Sequence, residues 1–102
     1  MQLAREHRVD IQKAVGEAVR HFRTGGQGKK RPIYTQEQLT EMVRQLSRET
    51  EARSAVASET ISRIENGHTN PTVKQIDWIC KALDVSLTEF FRYVETKGSR
   101  KD

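Results

Sequence analysis

The densest group of chemistry-bearing side chains is the run Lys29, Lys30, Arg31, which follows the glycine-rich stretch Gly25, Gly26, Gln27, Gly28. Three adjacent cations on a loop can follow a row of phosphates or reach into a groove, and they can equally be a solvated loop. They do not form a nucleotide cradle, because the spacing of a phosphate-binding loop is absent and no strand precedes the glycines. Nucleophiles and metal ligands are scarce. Cys80 is the only cysteine, which excludes an internal disulfide and a multi-cysteine zinc site. It lies on an apolar helical stripe with no basic neighbour to activate it, so it reads as a small core residue. His7, His21 and His68 lack metal-ligand spacing and read as surface residues, with His68 able to touch a phosphate. Paired carboxylates and a nucleophile triad are also missing, so the chain reads as a non-enzyme that needs neither cofactor nor metal.

The elements that position these residues must come from one domain, since 102 residues are too few for two. Only 34% of residues are apolar and 31% are charged, yet the apolar ones recur periodically, so a small, heavily solvated globule is expected. The net charge of +4 is uneven: residues 1–34 carry eight Lys/Arg against three Asp/Glu, residues 35–66 four against six, and residues 67–102 six against five. A pI near 9.5 favours nucleic acid or an anionic surface as a partner. No long apolar run is present and the first ten residues hold no apolar signal core, so a soluble, cytoplasmic protein without membrane contact is expected.

Helical periodicity dominates. Asp10 could cap a first helix on which Ile11, Val15, Ala18, Val19 and Phe22 form one stripe, ending at Thr24, Gly25 and Gly26. Thr35 to Gln38 has the form of a capping box, so a second helix starts at Gln36 with Leu39, Met42, Val43 and Leu46 facing the core. The pattern then lapses until Val56, Ala57, Ile61 and Ile64, a short third helix closed by Asn66 and Gly67. Thr72 to Gln75 repeats the box ahead of Val73, Ile76, Ile79, Cys80 and Leu83, and Asp84 and Val85 end this fourth helix. Ser86 to Glu89 opens a fifth, with Leu87, Phe90, Phe91 and Val94 on its face. The expected fold is all-α, a compact five-helix domain over 1–96 with its core in 10–94. It carries a flexible basic loop at 24–33, an enlarged segment at about 44–57 and a frayed basic tail at 97–102.

Four stretches now matter together: ThrGlnGluGlnLeu at 35–39, IleSerArgIleGluAsnGly at 61–67, AsnProThr at 70–72 and AlaLeuAspValSerLeuThrGluPhePhe at 82–91. In this order, with this helix pattern, residues 15–92 resemble the xenobiotic-response-element type of helix-turn-helix domain, the family of phage Cro proteins and phage repressors. The resemblance implies that the second and third helices form a DNA-reading unit, that the third lies in the major groove, and that homodimers bind palindromic operators. One departure is large. Gln36 and Ile61 stand 25 positions apart, well beyond the family's spacing, so residues have been added near 44–57. That stretch is rich in helix formers and free of Gly and Pro, which favours continuation of the second helix over a polar loop. Arg48, Glu49, Glu51 and Arg53 would then face solvent or a partner.

Carried onto this chain, the resemblance turns Ser58, Glu59, Ser62 and Arg63 toward base edges. Arg63 can donate two bonds to guanine or grip a phosphate, Glu59 can accept from a cytosine amine, and Ser58 suits either partner. Read without the family, Ser58 is a helix cap and Glu59 a first-turn acid favoured by the helix dipole. Gln36, Asn66, Thr69 and Lys74 are the expected phosphate contacts, joined by Lys29, Lys30 and Arg31; each is otherwise a solvated polar residue. The family also pairs a Glu at the place of Glu65 with an Arg near the end of the first helix, which makes Arg23 the expected partner in a structural ion pair. Trp78 lies about 160° around its helix from the apolar stripe, so cover from the amino-terminal segment or a second subunit is expected. Phe91, Tyr93 and Val94 are the candidate dimer or partner contacts.

Two functions follow. The first is a sequence-specific transcriptional regulator of double-stranded DNA, a prokaryotic or phage repressor acting as a homodimer, nucleoid-associated when bound. The second keeps the fold as an antitoxin-like or anti-activator module whose enlarged segment and Trp78 contact a protein partner; the acidic balance of residues 35–66 favours it. Salt-dependent duplex binding separates the two.

Overall fold

The computed structural model describes residues 11–26, 32–49 and 58–99. Five helices and no strands occur among them: α1 (Ile11–Arg23), α2 (Gln36–Glu49), α3 (Ser58–Glu65), α4 (Val73–Leu83) and α5 (Leu87–Ser99). The all-α expectation holds. Asp10, His7, the cations Lys29, Lys30 and Arg31, and positions 50–57 lie outside the described residues, so the conformation expected for most of the enlarged segment does too.

Local chemistry sets the ends of each helix. The α1 chain reverses through Gly25 and Gly26, with φ of 111° and 68°, and the Gly26 amide donates to the His21 carbonyl. The box at Thr35 forms in both directions: the Gln38 amide donates to Thr35 Oγ1 at 3.0 Å and the Thr35 amide donates to Gln38 Oε1 at 2.8 Å. The same reciprocal box closes at Thr72 and Gln75. Beyond α3, Gly67 at φ 73° lets its own amide reach the Ile64 carbonyl and the His68 amide reach that of Arg63, satisfying two orphan acceptors. Asp84, at φ 61°, ends α4 in the left-handed region.

Helix α1 is the central strut, packed against α3 on one side and α5 on another, while α2 packs on α3 and α4. The core runs through Ala18, Val19 and Phe22 of α1, Leu39 and Val43 of α2, Ile61 and Ile64 of α3, Ile79 and Leu83 of α4, and Phe90 and Val94 of α5. Where α1 crosses the end of α3 the backbones nearly touch. A Cβ on Gly16 would collide with the Ile64 carbonyl oxygen and would sit 2.9 Å from that of Glu65. Only glycine allows this approach.

Several expectations about faces are corrected. Trp78 is 5% exposed and belongs to the core. Helix α4 contacts α1, α2 and α5, so cover extends beyond the one stripe of Ile76, Ile79, Cys80 and Leu83, and no second subunit is needed to shelter the indole. Val73, placed on that stripe, is 79% exposed because it stands at the first position of α4, ahead of the packed turns. Ile11 and Leu87, at the first positions of α1 and α5, are exposed for the same reason. Helix α5 continues to Ser99, past the boundary expected at 96, and Lys97 pairs with Glu17 of α1 at 3.6 Å.

Candidate nucleic-acid interface

Helix α3 has two opposed stripes. Ile61, Ile64 and Glu65 point inward and are buried, while Glu59, Ser62, Arg63 and Asn66 recur at offsets that put them on the other side. Glu59, Arg63 and Asn66 are exposed and Ser62 is half-buried. Arg63 makes no ion pair among the described residues, so its guanidinium is available to an incoming acceptor. Ser58 is the first residue of α3.

The inner stripe ends on a charge. Arg23 Nε donates to Glu65 Oε2 at 2.6 Å and Arg23 Nη2 donates to Glu65 Oε1 at 2.8 Å, a two-pronged grip from the last residue of α1 to the last of α3. The third arm, Arg23 Nη1, donates to the Tyr34 carbonyl at 2.9 Å. Gln36 Nε2 donates to Glu65 Oε1 at 2.9 Å, tying in the start of α2. The side chains of Arg23 and Glu65 are 12% and 1% exposed, so the carboxylate is removed from water and is tolerable only because three donors meet it. Helix α3 is thus fixed at its carboxyl end by α1 and α2, with Glu59, Arg63 and Asn66 of its outer stripe exposed.

The placement of Gln36 departs from the role expected of it. One N–H of its amide is given to Glu65 and the residue is half-buried, so the side chain expected to reach a phosphate is also part of the internal network. The loop after α3 leaves His68 exposed and Thr69 half-buried, and Lys74 in the first turn of α4 is exposed. Just beyond the carboxyl end of α3, Gln12 Nε2 donates to the Gly67 carbonyl at 3.1 Å, so the turn after the helix is also held by α1.

Of the candidate dimer contacts, only Phe91 is free to serve, at 43% exposed. Val94 is buried in the core. Tyr93 is half-buried, stacked on His21 with ring centroids 4.2 Å apart and set edge-on to Phe22 at 5.7 Å. Tyr93 therefore faces α1, which packs along α5. His21, expected at the surface, is half-buried in this aromatic seam, and its Nε2 is sealed without a hydrogen-bond partner. Burial, reinforced by the positive charge of Lys97, holds its pKa below the ordinary value. Cys80 is buried, and desolvation, with Asp77 adding to it, pushes the thiol up to about 12. It is an inert core residue.

Gly16 takes on a role that sequence reasoning does not assign it. For Gly16 the available signal is a lone glycine inside a helical pattern.

No helix among the described residues is long and apolar enough to cross a membrane. The chain matches no curated protein and no solved structure. Residues 44–90, which run from the second half of α2 through α3 and α4 into α5, match the family model described as helix-turn-helix. The match takes in the whole of α3 and the turn after it, the stretch whose inner end is clamped by Arg23 and Gln36, and it agrees with the resemblance to the xenobiotic-response-element, Cro and phage-repressor type of helix-turn-helix.

Proposed function

We propose that the chain is a sequence-specific, double-stranded-DNA-binding transcriptional regulator acting as a homodimeric repressor on a palindromic operator, in the cytoplasm and on the nucleoid. The observation that carries this reading is the outer stripe of α3, where Glu59, Ser62, Arg63 and Asn66 share one side of a helix whose other side is buried. A helix so presented fits a major groove, and two copies related by a two-fold axis would enter successive grooves about 34 Å apart. Lys29, Lys30, Arg31, Asn66, Thr69 and Lys74 supply phosphate contacts, and affinity comes largely from released counterions. Phe91, with Leu87 one turn before it, is the exposed apolar pair through which a second copy would bind.

Selection of bound sequences from a random duplex pool tests this reading. A palindromic consensus with half-sites about one helical turn apart supports it, and Arg63→Ala should relax preference at one base position by about 1–3 kcal/mol. The protein-interaction reading keeps the acidic balance of residues 35–66 in its favour but loses Trp78, which is buried. Duplex binding that is absent or indifferent to salt would restore it.

A further inference from the structure

We propose that Arg20 is a phosphate contact held ready by the Glu65 network, an inference that rests on the duplex-reading function above. Glu65 offers two oxygens, and both are occupied without Arg20: Oε2 by Arg23 Nε, and Oε1 by Arg23 Nη2 and Gln36 Nε2. Arg20 Nε stands 3.9 Å from Oε1, too far for a hydrogen bond, and its side chain is 60% exposed. Two guanidinium groups therefore face one carboxylate. Arg20, the exposed one of the two, is the guanidinium left without a close hydrogen bond to that carboxylate.

The sealed carboxylate still attracts Arg20 from below, which narrows its rotamers without stripping its water, so less ordering remains to be done when an anion arrives. The nearest acid on its own helix face, Glu17, is engaged by Lys97 at 3.6 Å. Glu65 directly precedes Asn66, the last residue of the outer stripe of α3. A backbone running past that end of α3 meets the Arg20 guanidinium, whose planar fork suits a phosphate.

The test titrates the full chain with a short duplex of mixed sequence between about 50 and 200 mM KCl, alongside thermal unfolding. Arg20→Gln should lower the slope of log K against log salt by roughly 0.9, the share of one phosphate, and weaken binding by one common factor on every sequence. Its melting temperature should stay that of the unsubstituted protein. Arg20→Lys should restore most of the slope, since a phosphate accepts a point charge where the geometry at Glu65 does not. An unchanged slope in Arg20→Gln overturns the proposal. A loss of binding that follows a fall in melting temperature and is not rescued by Lys also overturns it, making Arg20 a third structural partner of Glu65. If the unsubstituted chain shows no salt-dependent duplex binding, the function itself fails and this role with it, so the two failures are told apart.

Discussion

Arg23 closes on both oxygens of Glu65 at 2.6 and 2.8 Å across a gap of 42 positions in the chain, so the last residues of α1 and α3 are joined by a buried, two-pronged ion pair. Its worth is best seen from its removal. Arg23→Ala leaves a carboxylate at 1% exposure with only Gln36 donating closely to it. The expected cost is about 2–4 kcal/mol, far above that of a surface pair. Urea or thermal unfolding measures it; a melting temperature equal to that of the unsubstituted protein contradicts a structural role for the pair.

Gly16→Ala pits two effects against each other. Alanine is the better helix former by about 1 kcal/mol, which favours the variant. The added methyl, however, would run into the Ile64 carbonyl, a backbone atom with no rotamer to escape into. Overpacking of this kind costs about 1–3 kcal/mol, so net destabilisation is expected, with α3 displaced from α1. Denaturant unfolding reads the sign, and a more stable variant would show that α1 and α3 separate freely.

His21 makes stability depend on pH in a known direction. In the folded chain its pKa lies below the ordinary 6.5, chiefly because burial disfavours the imidazolium and secondarily because Lys97 repels it. As pH falls from above 6.5 toward the folded value, the unfolded chain takes up the proton first, so this contribution is fully present above 6.5 and is lost below it. Unfolding free energy measured across that window should decline with acidification, and His21→Phe, which keeps a ring against Tyr93, should flatten the decline.

Trp78 should report a dry environment. Its fluorescence is expected to be blue-shifted and resistant to iodide in the native chain, and Trp78→Ala should cost about 3–5 kcal/mol, as for a large core side chain. Ready quenching of a native monomer would return the indole to the surface.

Much of the fold was legible because its signals are local. The boxes at Thr35 and Thr72 depend on residues three apart, the glycine turns at Gly25 and Gly67 on single φ values, and the stripes of α1 and α3 on the helical period; each survives without knowledge of the neighbours. The outer residues of α3 were legible for a related reason, since Ile61 and Ile64 fix which side must turn away.

What escaped depends on more than one element at a time. Stripe logic assigns one buried side per helix, and it failed for Trp78 because α4 has three helices around it. It failed for Val73, Ile11 and Leu87 because first positions stand outside the packed turns. A polar side chain such as that of Gln36 is solvated in a sequence and a donor to a buried acid once three helix ends converge.

Composition, capping residues and apolar spacing by themselves determined five helices, their order and the outward side of α3. Only the tertiary structure decided that Gly16 admits a backbone, that Gln36 donates to Glu65, that Tyr93 stacks on α1 while Val94 is buried in the core, and that Arg20 stands exposed at 3.9 Å from a carboxylate already met by three donors. Propensity and capping act within a few residues, whereas the satisfaction of a buried charge is settled by whichever groups distant parts of the chain bring to the same place.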